Sequence, residues 1–155
     1  MGMPYSLPLI GSCMCGAVQI DVTAPPLLTL ACHCRDCQKL TASAFSMTTM
    51  FPRAAFSCSG ELIIGALGTP GRRHYFCKSC LNFIYSDIGE DNPRINLRTS
   101  LLDQAAAFAP YVELMTDQKL PWATTTALRS FSGFPQTADE LQDLLDGYAE
   151  WITTQ

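Results

Sequence analysis

The stretch ACHCRDCQKL, residues 31–40, places three cysteines, Cys32, Cys34 and Cys37, within six positions. Neighbours this close aim several sulfurs at one point, as a metal ion requires, whereas a disulfide across so short a gap is strained. Two further pairs have the same character: Cys13-Met-Cys15, followed by Gly16, and Cys77-Lys-Ser-Cys80. Seven of the eight cysteines therefore fall in clusters, and the spacing points to metal ligation rather than a disulfide framework. Cys58, in FSCSG, stands alone between apolar and turn residues and reads as a small buried hydrophobe.

A structural zinc takes four protein ligands. Cys13, Cys15, Cys77 and Cys80 together make one such site, which ties the first strand region to the middle of the chain. The remaining cluster offers three thiolates and an open coordination position, the feature that separates catalytic from structural zinc. Either of the two histidines could close it. His33 lies between two ligands in an extended segment, where alternate side chains point to opposite faces, so its ring is expected to point away. His74, three residues before Cys77, stays open as a ligand, and so does a single multinuclear site holding all seven sulfurs.

The chain has 155 residues, 48% of them hydrophobic, enough for one domain with its own core. Its formal charge is −4 and its ten basic residues are scattered, which argues against the basic stripe of a nucleic-acid binder. No stretch approaches the roughly 20 apolar residues of a membrane span. The amino end, MGMPYSLPLIGSC, has no positive n-region, so the reading is a soluble cytoplasmic protein.

Short extended runs dominate the order of elements: 17–22, 44–51, 61–67, 72–76, 83–86, 94–97 and 111–115, with a Gly-Thr-Pro-Gly turn signal at 68–71. No helix-length crossover lies between them, so the sheet is expected to be antiparallel. One strong helix is predicted over about 137–151, capped by Thr137 with Glu140 at capping-box spacing. Leu141, Leu144, Leu145, Tyr148 and Trp151 fall on one face of it, suited to docking on the sheet or to a homodimer. A short helical turn is predicted from Arg35 to Leu40.

At these residues the chain resembles the glutathione-dependent formaldehyde-activating enzyme family, which includes the centromere protein V domain. GSCMCGAV at 11–18 resembles the family's opening, CHCRDCQKLTASAF at 32–45 its three-cysteine segment, and RRHYFCKSC at 72–80 its last cysteine pair. RINLRTSLLD at 94–103, LPWA at 120–123 and FSGFP at 131–135 extend the likeness over 11–135. One departure is Leu81, where the family usually has Gly after the last pair, so the turn there is expected to use another conformation.

The resemblance implies a mainly β chain, a β-tent fold of short antiparallel strands with two zinc ions, and with no linker dividing the chain it is expected to form one zinc-binding domain over 1–155. It implies carbon–sulfur lyase chemistry joining glutathione to formaldehyde as S-hydroxymethylglutathione. It matches Cys13, Cys15, Cys77 and Cys80 to structural ligands and Cys32, Cys34 and Cys37 to catalytic ones. A thiol tripeptide carries two carboxylates, and Arg35, Lys39, Arg72 and Arg73 are the candidate cations by position, with Ser43 and Phe45 as candidate pocket walls. The rival readings are a zinc-stabilised, non-catalytic protein-binding module and a redox sensor built on the three-cysteine cluster.

Overall fold

The computed structural model describes residues 2–66 and 70–155. In chain order its strands and helices are β1 Leu9–Ser12, β2 Gln19–Val22, β3 Leu28–Cys32, α1 Arg35–Thr41, β4 Ser46–Pro52, β5 Phe56–Ser59 and β6 Leu62–Gly65, then β7 Arg73–Cys77, β8 Phe83–Asp87, β9 Arg94–Arg98, β10 Val112–Leu114, β11 Arg129–Ser130 and α2 Ala138–Trp151. The fold is mainly β, as the run of short extended segments implied. The end of the expected 61–67 strand at Leu67, and Gly68 and Thr69 of the expected turn, lie outside the described residues.

The strands form two sheets, one ordered β1-β2-β5 and one of eight strands ordered β11-β10-β3-β4-β9-β8-β7-β6. Most pairings are antiparallel, but β10 runs parallel to both β3 and β11. The expectation of a wholly antiparallel sheet is therefore corrected. A parallel neighbour needs a long return, usually a helix. Here the return from β3 to β10 runs through the other strands of the sheet, and β10 reaches β11 through the loop at 115–128.

β3, LTLAC, is buried at every position. It sits in the middle of the large sheet, with β4 on one side and β10 on the other, and α2 packs across it. That burial on both faces explains why the strand is apolar except at Thr29, whose hydroxyl donates to the Ala109 carbonyl at 2.7 Å. On α2, Leu144 and Tyr148 point into the core, and Tyr148 and Trp151 form an aromatic cluster with Tyr111. Thr137 caps the helix by accepting the Glu140 N–H at 3.1 Å, while Glu140 reaches back to accept from the Gln136 N–H.

The predicted turn at 35–40 is α1. Cys34 is its N-cap, the Cys34 sulfur accepting the Cys37 N–H at 3.3 Å. Because β3 ends at Cys32 and α1 begins three residues later, the middle of the sheet delivers all three sulfurs of that cluster to one place. Among the described residues no helix is long and apolar enough to cross a membrane.

Candidate metal centre

Cys13 and Cys15 bracket the turn that closes the β1–β2 hairpin, where Gly16, at φ +78°, donates its N–H back to the Cys13 carbonyl. Cys77 ends β7 and Cys80 lies in the turn to β8. The four thiol sulfurs lie within 4.8 Å of one another, so this cluster joins the small sheet to the large one. Burial opposes charge on Cys13, but the Val18 amide and the neighbouring thiols outweigh it and bring that thiol down to about 6. On Cys15 the Ala17 amide pulls down, yet Cys13 and the other thiols prevail and push it up to about 11. Crowded sulfurs thus oppose one another's ionisation, and a divalent cation at their centre would remove the conflict.

The same conflict appears in the second cluster. Hydrogen bonding from Cys32 and Cys34 pulls Cys37 down to about 3, while those contacts, with burial, push Cys32 well above the ordinary thiol value. The sulfurs of Cys32, Cys34 and Cys37 lie within 4.8 Å of one another, and among the described residues no histidine, carboxylate or further cysteine joins them. The seven clustered sulfurs form two groups rather than one. Both donor sets fit a thiolate-preferring metal such as zinc.

The three-cysteine cluster opens on two joined cavities. The inner one, about 190 Å³, is walled by the cluster together with Arg94, Asn96 and Arg98 of β9. The outer one, about 590 Å³, holds Arg35, Asp36, Lys39 and Gln118. Cys34, Cys37, Leu40, Arg72, His74 and Phe134 border both.

Residues 8–118 match the family model for the glutathione-dependent formaldehyde-activating enzyme. The chain belongs to that family. A Halomonas elongata protein whose name assigns it, provisionally, to glutathione-dependent formaldehyde activation is 27% identical over 92% of this chain and 93% of its own. A crystal structure of a Rhodobacter sphaeroides protein covers 61% of this chain and 87% of its own, at a TM-score of 0.49 and 22% identity.

In this formaldehyde-activating family member, the cations expected by position divide. Arg35, Lys39 and Arg72 border the cavities. Arg73 does not: it enters β7 beside Asp87 and Glu90 and pairs with Glu90 at 3.3 Å. His33 turns away from the sulfurs, as strand alternation required, and its Nε2–H donates to Glu113 at 2.9 Å. His74 stands on the cavity wall with Nδ1 at 2.8 Å from Ser86 Oγ. Phe45 packs on the His33 ring, and neither Ser43 nor Phe45 borders the two cavities. Cys58 is half-buried and burial pushes its thiol up, which fits a structural role.

Two residues inside the RINLR segment of the resemblance that were not among the expected site residues, Arg94 and Arg98, wall the inner cavity. In RINLR the charged and amide side chains alternate with Ile95 and Leu97, which face the core, so strand periodicity held the signal. Arg98 is only 8% exposed. Burial lowers it to about 10, opposed by the charges of Cys37 and Cys32, so it remains a cation at neutral pH. Its guanidinium lies 4.5 Å over the Phe83 ring and donates to the Asn96 carbonyl at 3.2 Å, while Nε has no partner among the described residues.

The departure at Leu81 is resolved differently from expectation. The turn keeps the left-handed conformation that Gly would ease, with Leu81 itself at φ +59° and its side chain 63% exposed. Its N–H donates to the Cys77 carbonyl at 2.9 Å, which holds the knuckle closed despite the Cβ.

Proposed function

We propose that this chain acts as one two-zinc domain that adds a small thiol such as glutathione to formaldehyde or a related small aldehyde, carbon–sulfur lyase chemistry run in the adduct-forming direction. The observation that carries the reading is the three-cysteine cluster at the junction of two cation-lined cavities. A staple needs no such access.

In this reading Cys13, Cys15, Cys77 and Cys80 hold a structural zinc and Cys32, Cys34 and Cys37 a catalytic one. When bound there, zinc supplies the positive charge that favours the thiolate form of an incoming thiol near neutral pH. Arg35, Lys39 and Arg72 hold the carboxylates of a tripeptide thiol in the outer cavity, and Leu40 and Phe134 restrict water at the junction. In the reaction a carbon–sulfur bond forms, the carbonyl π pair moves to oxygen, and the proton released by the thiol ends on that oxygen. No separate side chain is assigned as base, because thiol addition to so reactive a carbonyl needs little proton-transfer help. Clustered thiols suit a reducing compartment, so the cytoplasm is the proposed location.

The test is adduct formation from glutathione and formaldehyde, followed by NMR exchange at matched pH with the zinc-loaded chain and without it. A rate above the spontaneous background that disappears in Cys34→Ser supports the reading. A rate equal to background, in protein shown to carry two zinc ions, overturns it.

A further inference from the structure

The chain has ten lysines and arginines. Five of them pair with carboxylates: Arg53 with Asp87, Arg73 with Glu90, Lys78 with Glu61, Lys119 with Glu113, and Arg129 with Asp143. The other five, Arg35, Lys39, Arg72, Arg94 and Arg98, make no ion pair among the described residues, and all five border the two joined cavities. Arg35, Lys39 and Arg72 are exposed, Arg94 is half-buried and Arg98 is buried, so in a protein of net charge −4 the unpaired cations run from the surface into the inner cavity. The unmatched positive charge is collected at one place.

The two cavities divide that charge between ligands of different size. The outer cavity, about 590 Å³, can take a tripeptide, and Arg35 and Lys39 there face one acid, Asp36. The inner cavity, about 190 Å³, is smaller than the roughly 300 Å³ at which pockets for drug-sized ligands begin. It suits a molecule of a few heavy atoms. No aspartate or glutamate borders it, while Arg72, Arg94 and Arg98 do. Arg72 is exposed and shared with the outer cavity, and Arg94 is half-buried, but Arg98 is buried and makes no ion pair with a carboxylate among the described residues. A neutral aldehyde brings Arg98 no counter-charge, whereas a carboxylate on the aldehyde supplies one.

Local geometry agrees with the charge. Arg98 has a buried Nε without a partner among the described residues, and a small shift of the side chain toward the cavity that it borders would let a carboxylate fill its Nε–Nη edge with two parallel bonds. Asn96 Oδ1, two residues earlier on the same strand face, is also buried without a partner and can accept the O–H that addition to a carbonyl creates.

From this, and resting on the thiol-addition reading above, we infer that the carbonyl substrate is an aldehyde bearing a carboxylate on the adjacent carbon, held in the inner cavity by Arg98 with Arg94. The thiol sulfur bonds to the aldehyde carbon, the π pair becomes a lone pair on oxygen, and the thiol's proton completes the hydroxyl. The product is a 2-hydroxy-2-thio acid, formed without oxidant or reductant.

The experiment is calorimetric titration of the zinc-loaded full chain with oxamate, an unreactive carboxylate-bearing carbonyl compound, and with acetamide, its neutral counterpart. Oxamate should bind at least about tenfold more tightly, and Arg98→Gln should remove that advantage. Arg94→Gln, at a less buried position, should reduce it with the zinc content unchanged, which covers the case in which the Arg98 variant misfolds. Glutathione adduct formation should also favour glyoxylate over acetaldehyde, with the ratio falling about tenfold or more in Arg94→Gln. Oxamate binding no better than acetamide, or an advantage that survives in both variants, overturns the inference. Formaldehyde turnover without oxamate binding overturns it and leaves thiol addition intact. Oxamate held through Arg98 with no adduct accelerated supports the carboxylate subsite and removes the thiol-addition reading instead.

Discussion

His33 Nε2 lies 2.9 Å from Glu113 Oε2, eighty positions away in the chain, and the pair fixes the ring between Cys32 and Cys34 on the side away from the sulfurs. Glu113 also accepts from Lys119, Thr125 and Ser130. Burial works against its charge, but these donors, Lys119 and His33 foremost, outweigh it and hold the carboxyl at about 2 against an ordinary 4.5.

That difference has a sign. A carboxyl held lower in the folded chain than in the unfolded one stabilises the fold above about pH 4.5, and the contribution is lost as pH falls toward about 2. Its size is about 3 kcal/mol at neutral pH, from the shift at roughly 1.4 kcal/mol per unit. Glu113→Gln should therefore cost about 2–3 kcal/mol at pH 7. The gap to the parent should narrow in denaturant titrations as pH is lowered from 4.5. A constant gap would mean that the carboxylate's charge is not what holds the network.

The two cysteine clusters should respond differently to one lost sulfur. Cys77 is buried where the two sheets are stapled, and structural zinc sites supply on the order of 10 kcal/mol, comparable with the whole stability of a domain. Cys77→Ser should lose one zinc and most of the cooperative melting transition. In Cys34→Ser the serine oxygen can still cap α1, so the variant separates metal loss from helix capping. It should lose the other zinc and the adduct rate while melting closer to the parent. Elemental analysis and calorimetry decide this, and equal losses of stability with unchanged rates would refute the division of roles.

Much of the centre was legible because its chemistry is local. Three cysteines in six positions, with two close pairs elsewhere, announce metal ligation through spacing alone. What sequence could not convey is which distant strands meet. Glu113 reaches His33 only because β10 lies parallel to β3, a pairing that leaves no mark in either segment. β3 escaped because a strand buried on both faces loses alternation. Arg98 is the instructive intermediate case: the alternation in RINLR shows that Arg94, Asn96 and Arg98 share a face, but only the sheet order shows that this face is turned toward the sulfurs.

Leu81 offers a test of strain. A left-handed non-glycine residue costs about 1–2 kcal/mol, and glycine returns about 0.5–1 kcal/mol of that through the freer unfolded chain. With its side chain 63% exposed, little apolar burial is lost on truncation. Leu81→Gly should thus stabilise the chain by up to about 1 kcal/mol, raising the melting temperature by about 2–4 °C. A fall in melting temperature would show that the Leu81 side chain contributes a contact that outweighs its backbone cost.

Gly147 should invert the usual helix rule. Replacing glycine by alanine inside a helix ordinarily gains about 1 kcal/mol. A Cβ at 147, however, would stand only 2.4 Å from the Tyr111 hydroxyl oxygen. Tyr111 cannot yield freely, because its ring is packed 5.3 Å from Trp151 and 5.8 Å from Tyr148 at the junction of α2 with the sheet. Gly147→Ala should therefore destabilise by about 1–3 kcal/mol, the range for overpacked cores. Removing the oxygen with Tyr111→Phe in that background should recover part of the loss, since the ring carbon behind it is 3.4 Å from the added Cβ. A double-mutant cycle read by thermal melting isolates the coupling. A stabilising Gly147→Ala would instead mean that α2 slides on the sheet, and the aromatic cluster would then not be the fixed seat of the helix.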